Sequence, residues 1–346
     1  MLRKHGVPGC AIAARLGDTH LAFDIGSADA AGTRPVDAQT VFHLFSGTKL
    51  YTAAALMRLH ERGAVDLDQP VSTYLPDLAL RHPITARQLA SHSSGLPDTL
   101  SAFLAVHFFG DPPPTTAAAL SRYRTAKGKP PGGKAAYRNV NYAILGELIT
   151  RVSGMPYPEA VAADVLGPLG SAASFAYDEA TRARAAEGTI GRFQPTRWLL
   201  RFMSPDVSKR LERERHGGVV PLAEFSLDTA AIGGLIGCAA DFLPLAVEML
   251  SNEDGVLSAE SKREMLTMQA RGQAGIVSAE GVGLGWKLGR ANGVELWNHE
   301  GGGAGFTSET RIYPRDGVAV VVLMNKTQTR KLSWLAHEMC ELLRTA

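Results

Sequence analysis

Apolar and polar positions change period along this chain, and the changes mark out its elements. Residues 9–15 and 20–26 alternate or run apolar around a Gly17-Asp18 turn, the pattern of a β-hairpin. Val41-Phe-His-Leu-Phe is a short strand-like approach to Ser46. From Thr48 onward Leu50, Ala53, Ala54, Met57 and Leu59 recur at helical spacing, and Gly63 offers a stop. A helix is therefore predicted with its N-terminus at or next to Ser46. From about residue 64 to 215 the text is helical, broken by Pro- and Gly-rich runs such as Asp111-Pro-Pro-Pro and Lys129-Pro-Pro-Gly-Gly. Within it, Asn141 to Ser153 reads as an amphipathic helix with Ile144, Leu145, Leu148, Ile149 and Val152 inward and Gly154 past its end.

The stretch from Arg192 to Gly218 is basic and turn-rich and carries Phe193, Trp198 and Phe202, a surface excursion and a candidate lid. Beyond it the period shortens. Val282 to Leu288, Val294 to His299, Thr307 to Tyr313 and Val318 to Asn325 read as strands, and a helix over about Lys331 to Arg344 closes the chain. Strands at both ends around a helical middle imply one sheet built from both termini. The expected division is an α/β sheet domain over 1–63 and 219–346 with a helical domain inserted over 64–218.

Composition narrows the function classes. The 346 residues include 36 basic and 34 acidic ones, a formal net charge of +2, so charge gives no support to a nucleic-acid partner. Cys10, Cys238 and Cys340 lie far apart with no zinc-ligand spacing, so free buried thiols are expected, and neither a metal nor another cofactor. The longest apolar run, Val318 to Met324, is far below a membrane span. The start of the chain lacks the build of a signal peptide, which makes the cytoplasm the expected compartment, or the periplasm if a leader has been trimmed.

The chemistry rests on three short motifs. No Gly-x-Ser-x-Gly, HExxH or Walker-type loop occurs. Ser46-Gly-Thr-Lys49 is the one place where Lys follows Ser by three residues. On a helix those positions share a face, so Lys49 Nζ can lie beside Ser46 Oγ and supply the base that a hydroxyl nucleophile needs. A base working at neutral pH wants a pKa of ~7–8 rather than the ~10.4 of free Lys, which requires desolvation or a neighbouring cation. Tyr137-Arg-Asn139 is the only Tyr-x-Asn, and in an extended segment both side chains can face one cleft. His299-Glu-Gly301-Gly302 ends a predicted strand, where the glycines let a ligand approach the backbone and the Gly302 N–H could serve an oxyanion.

In order and separation these motifs resemble the class C β-lactamase-like serine hydrolases of the serine β-lactamase and penicillin-binding-protein superfamily, which include D,D-peptidases and family VIII carboxylesterases. Gly63-Ala-Val-Asp-Leu-Asp-Gln-Pro, Leu89-Ala-Ser-His-Ser-Ser-Gly-Leu-Pro, Asn141-Tyr-Ala-Ile-Leu-Gly and Gly233-Gly-Leu extend the likeness over about residues 7 to 340. The resemblance implies a β-lactamase-like fold, an antiparallel sheet flanked by helices with an inserted helical domain. It implies an acyl-enzyme at Ser46, with Lys49 and Tyr137 moving the proton. Asn139, His299, Gly301 and Gly302 would bind substrate or its oxyanion, and His92, Ser93 and Ser94 would form a structural turn.

Three departures bear on substrate. His299 stands where β-lactamases usually carry Lys, Glu300 where they carry a small hydroxyl residue, and Arg138 where the family mostly has a small residue. A neutral imidazole and a carboxylate both disfavour an anionic substrate. A small neutral ester or amide is therefore the expected substrate, with esterase-like activity foremost. A D,D-peptidase, D-aminopeptidase or weak β-lactamase is the alternative, and a catalytically silent binding domain is a further one. Arg138 is left between a solvated surface position and a substrate-binding one.

Overall fold

The computed structural model describes residues 2–97, 106–112, 128–272 and 279–345. The expected hairpin is present as β1 (Gly9–Leu16) and β2 (Thr19–Gly26), turned at Gly17, whose φ of 55° suits a residue without Cβ. β3 (Phe42–His43) leads through a 3-10 turn, Phe45–Gly47, into α1 (Thr48–Glu61). α2 (Ala86–Ala90) opens on a Thr85–Gln88 capping box and delivers the turn that carries His92. α3 (Asn139–Ser153) starts two residues before the apolar period does, and Gly154 ends it in the left-handed conformation. The basic excursion folds as α4 (Pro195–Met203) and α5 (Pro205–Leu211), each with proline in its first turn. α6 (Ala230–Gly233), β4 (Ile236–Gly237) and α7 (Ala239–Glu248) follow. Pro113 and Pro114 of the expected break lie outside the described residues.

The last third supplies β5 (Ala270–Arg271), β6 (Ala279–Val282), β7 (Lys287–Ala291), β8 (Val294–Gly303), β9 (Phe306–Tyr313), β10 (Val318–Met324) and α8 (Arg330–Arg344). One expectation is corrected here. The single strand read over Val282–Leu288 is a bend between two strands. Gly285 sits there with φ 85°, and a Cβ on it would meet that of Ala53 at 2.8 Å. Apolar character at this spot reflects burial of Leu284 and Trp286, not strand period.

Eight strands form one antiparallel sheet in the order β2-β1-β10-β9-β8-β7-β6-β5. Both ends of the chain meet in it, with Cys10 opposite Met324 and Leu16 opposite Val318. Strand alternation sorts β10 between two cores. Val318, Val320, Val322 and Met324 pack with Leu332, Leu335 and Met339 of α8. Ala319, Val321 and Leu323 face the larger core with Phe42, Leu44 and Phe242. Burying each such valine or leucine contributes about 1.5–3 kcal/mol, so a strand buried on both faces is the anchor of the sheet. Its neighbour β9, and β8 beyond it, both pack against the turn that carries Ser46.

All three cysteines are free and buried, and burial pushes the Cys10 thiol up to about 12. Among the described residues, no helix is long and apolar enough to cross a membrane.

Candidate active site

Ser46 occupies the 3-10 turn ahead of α1, and its neighbours hold that turn from three sides. Phe45 has φ 48°, a strained conformation for a bulky residue and one that persists only where the surroundings enforce it. Here they do. The Leu44 N–H donates to Leu235 O at 2.9 Å, and the Leu235 N–H donates to Thr48 Oγ1 at 3.1 Å. Leu44 O accepts from the Gly47 N–H at 3.2 Å and from Ser308 Oγ on β9 at 2.6 Å. Gly301 lies against the same carbonyl: a Cβ there would come within 2.1 Å of Leu44 O and 2.2 Å of Ser308 Oγ.

Lys49, in the first turn of α1, is wholly buried. Its Nζ is 3.2 Å from Ser46 Oγ and donates to Ile232 O at 2.6 Å. The first distance is what the three-residue spacing predicts. The second partner comes from the carbonyl of α6, beside the Gly233-Gly-Leu stretch, and could not be read locally. The ring centroids of Tyr137 and Tyr142 lie 5.1 Å and 5.6 Å from the same Nζ. Burial withdraws the Lys49 side chain from water.

Tyr137 and Asn139 flank an extended Arg138 (φ −143°, ψ 128°), and Asn139 is the first residue of α3. His92 braces this segment. Its ring centroid is 4.6 Å from that of Tyr137, and its Nδ1 accepts from the Arg138 N–H at 3.2 Å and the Asn141 amide at 3.1 Å. Two donors at Nδ1 place the ring proton on Nε2. Burial, then the charges of Lys49, Lys287 and Arg138, hold this imidazole well below its ordinary pKa, so it is neutral. His92 thus has the structural role expected of it. Arg138 is half-buried and donates to the Tyr137 carbonyl at 2.8 Å.

On β8, His299 is buried with its ring centroid 6.1 Å from that of Tyr137 and its Nδ1 2.9 Å from Glu300 O. Burial first, then Lys287 and Lys49, hold it well below the ordinary histidine value. The expected neutral imidazole is therefore what stands here. The expectation for Glu300 is corrected. Its carboxylate is no bare negative charge, because Lys287 Nζ of β7 lies 2.6 Å away with both side chains buried. The strand register sets Lys287 opposite Asn298, two residues from Glu300 and on the same face of β8. Lys287 Nζ also lies 5.5 Å from the Tyr137 ring centroid, a second cation beside the site that sequence reasoning missed.

Ser46, Asn139 and Gly302 line one cavity of about 120 Å³, walled by Leu200, Val207, Leu211, Phe225 and Leu227. A second cavity of about 330 Å³ shares Leu200 and Gly302–Ala304 with it and extends to Leu199 and Met203 of α4. Of the seven residues singled out in sequence, Ser46, Lys49, Tyr137 and His299 are linked by these contacts. Asn139 and Gly302 join through the cavity, and Gly301 through the Leu44 carbonyl. A hydroxyl beside a buried amine, with backbone donors near it, can carry out nucleophilic acyl transfer.

The Beta-lactamase family matches over residues 1–336. Penicillin-binding protein 4 of Amycolatopsis lactamdurans is 28% identical over 341 residues, covering 93% of this chain and 82% of that one. The D-alanyl-D-alanine-carboxypeptidase/endopeptidase AmpH of Escherichia coli (strain K12) is 26% identical over 309 residues, 83% of this chain and 71% of that one. Among solved structures, D-amino acid amidase from Ochrobactrum anthropi SV3 complexed with L-phenylalanine superposes with a TM-score of 0.80 at 25% identity, over 94% of this chain and 89% of that one.

Proposed function

Because the chain belongs to the Beta-lactamase family and is a serine hydrolase of the β-lactamase and penicillin-binding-protein superfamily, we propose that Ser46 is acylated and that neutral carboxylic esters are its substrates. The observation that carries the reading is the 3.2 Å contact between Lys49 Nζ and Ser46 Oγ. In the reacting state Lys49 has given up the proton that makes it a cation at rest; it keeps one hydrogen bond to Ile232 O and turns its lone pair toward the serine hydroxyl. Ser46 Oγ attacks the ester carbonyl carbon while its proton passes to the Lys49–Tyr137 pair. The oxyanion rests on the N–H groups of Ser46 and Gly302. Collapse of the tetrahedral adduct breaks the bond to the alkoxy group, which leaves as the alcohol with that proton. Water then attacks the acyl-enzyme by the reverse proton path, releasing the acid and Ser46.

Substrate charge is the argument for esters. His299 is neutral, Lys287 is paired with Glu300, and no acidic residue is among the described residues lining the cavity at Ser46. Neither a carboxylate nor an ammonium on the substrate finds an unpaired opposite charge there. The second reading, hydrolysis of D-amino acid amides or D-alanyl peptides, draws on the names of the relatives. Lys287 removes the bare charge on Glu300 that would repel a peptide's terminal carboxylate, which favours this second reading.

The test is hydrolysis of p-nitrophenyl acetate, butyrate and octanoate beside nitrocefin, D-phenylalanine amide and a D-alanyl-D-alanine peptide, with wild type and Ser46→Ala. Ester turnover that is lost in the variant, with the other substrates slow, supports the proposal. Fast amide or peptide turnover moves the assignment to the second reading. Equal ester turnover in Ser46→Ala removes Ser46 from the mechanism.

A further inference from the structure

Five of the ten large apolar side chains that stand exposed among the described residues fall within residues 193–203. Phe193 is 75% exposed, Trp198 54% and Phe202 86%. Trp198 and Phe202 are one helical turn apart on α4 and share its outer face. The inner face does something else: Thr196, Leu200 and Met203 line the larger cavity against Gly302–Ala304. One short helix is thus wall to the cavity on one side and an aromatic surface on the other.

Charge on the same segment is uneven. Residues 192–218 hold seven basic and three acidic side chains, a net +4 in a chain whose total is +2. The Arg192 guanidinium sits 4.9 Å from the Phe193 ring centroid, and those of Arg197 and Arg201 lie 5.6 Å and 6.0 Å from Trp198. Arg197 and Arg201 share Glu212 at 2.8 Å and 3.6 Å, and Arg210 and Arg213 pair with Asp111 at 2.9 Å and Glu224 at 2.7 Å outside the segment, whereas Arg192 and Arg215, which make no ion pair among the described residues, are left to meet an outside anion. Tryptophan and phenylalanine flanked by arginine suit a helix lying in a lipid–water interface, where rings enter the headgroup boundary and guanidinium groups meet anionic phosphates. A second copy of the chain is the poorer occupant. A two-fold contact would set two patches of net positive charge against each other.

We propose that the outer face of α4, with Phe193, docks on an anionic lipid surface and holds the cavity behind Leu200 next to it, so that poorly water-soluble esters reach Ser46 from that surface. The substrate half rests on the esterase reading above; the docking half does not.

Co-sedimentation of the full chain with vesicles of equal parts phosphatidylcholine and phosphatidylglycerol tests it, beside pure phosphatidylcholine vesicles. The chain is expected to pellet with the anionic vesicles, at least about tenfold more weakly with the neutral ones, and to be released by salt. Trp198→Ser/Phe202→Ser is expected to lose about tenfold or more in vesicle binding while keeping its circular dichroism and p-nitrophenyl butyrate turnover. Wild type that stays in the supernatant, or a variant that binds undiminished, overturns the proposal. So does a dimer that the substitutions disperse in the absence of vesicle binding. Vesicle binding without ester turnover supports the docking face and overturns the substrate assignment.

Discussion

Lys287 Nζ lies 2.6 Å from a carboxylate oxygen of Glu300, and both side chains are almost wholly withdrawn from water. Glu300 also stands opposite Glu309 on β9, a carboxylate committed to Arg311 at 2.8 Å. Each acid on this part of the sheet therefore has its own cation. The acids beneath the Tyr137–His299 contact are thus each held in a buried ion pair.

Breaking that pair from one side leaves a buried charge alone, which costs about 3–5 kcal/mol, whereas removing both charges is often neutral or stabilising. Lys287→Met and Glu300→Leu are each expected to lower the unfolding free energy by about that amount, and the double variant by much less. Urea unfolding of the four proteins measures the coupling. Additive losses would show that the two side chains do not stabilise one another.

His43 predicts acid sensitivity. It is buried among the rings of Phe45, Tyr177, Phe225 and Phe306, stacked on Phe225 at 4.8 Å, and burial pushes it down to about 4. The folded protein therefore keeps it neutral at pH values where the unfolded chain takes up a proton, below about 6.5. Its contribution is fully present above that value and is lost as pH falls toward about 4. Between about pH 7.5 and about pH 5 the loss from His43 alone is about 2 kcal/mol. His43→Phe is expected to reduce the pH dependence of urea unfolding by that amount. His92, His299 and His337, also held low, add to the dependence that remains. Identical slopes in wild type and variant would mean that His43 is protonated in the folded state.

Elements with a local signal were legible in sequence, and contacts between distant elements were not. The Lys49–Ser46 contact follows from helical spacing, and the limits of α1 and α3 follow from Gly63 and Gly154. Lys287 was missed for a physical reason. Its partner lies across a hairpin, and apolar Leu284 and Trp286 in a buried bend imitate a strand that would have absorbed Lys287 as an ordinary member. The Ile232 carbonyl that positions Lys49 is a backbone group 183 residues away, and no side-chain pattern announces it. Likewise Arg192 to Gly218 showed its charge and aromatics in sequence, but not that one helix face lines a cavity.

Gly301 has no room for a methyl group. A Cβ would stand 2.1 Å from Leu44 O, a backbone atom in the turn that carries Ser46, so the turn must move. A displacement of about 1 Å at a reacting group can cost about 100-fold in rate. Gly301→Ala is expected to keep its fold by circular dichroism while kcat/KM for p-nitrophenyl butyrate drops by about that factor. Retained activity would mean that β8 yields instead and leaves Ser46 in place.

Val207 of α5 and Leu200 of α4 stand in the wall of the cavity at Ser46, about 120 Å³ in volume, so on the proposed ester reading their side chains limit the acyl chain. Val207→Phe adds most of a ring to that wall. Discrimination by a hydrophobic pocket runs at about 1–3 kcal/mol per methylene, so a shortened pocket penalises long chains steeply and short ones little. The octanoate-to-acetate ratio of kcat/KM is therefore expected to fall at least about tenfold, with acetate within about twofold of wild type. An unchanged ratio would place the acyl group in the larger cavity beside Leu199 and Met203. Met203→Trp would then carry the loss, and α4 would be the acyl-binding helix instead of α5.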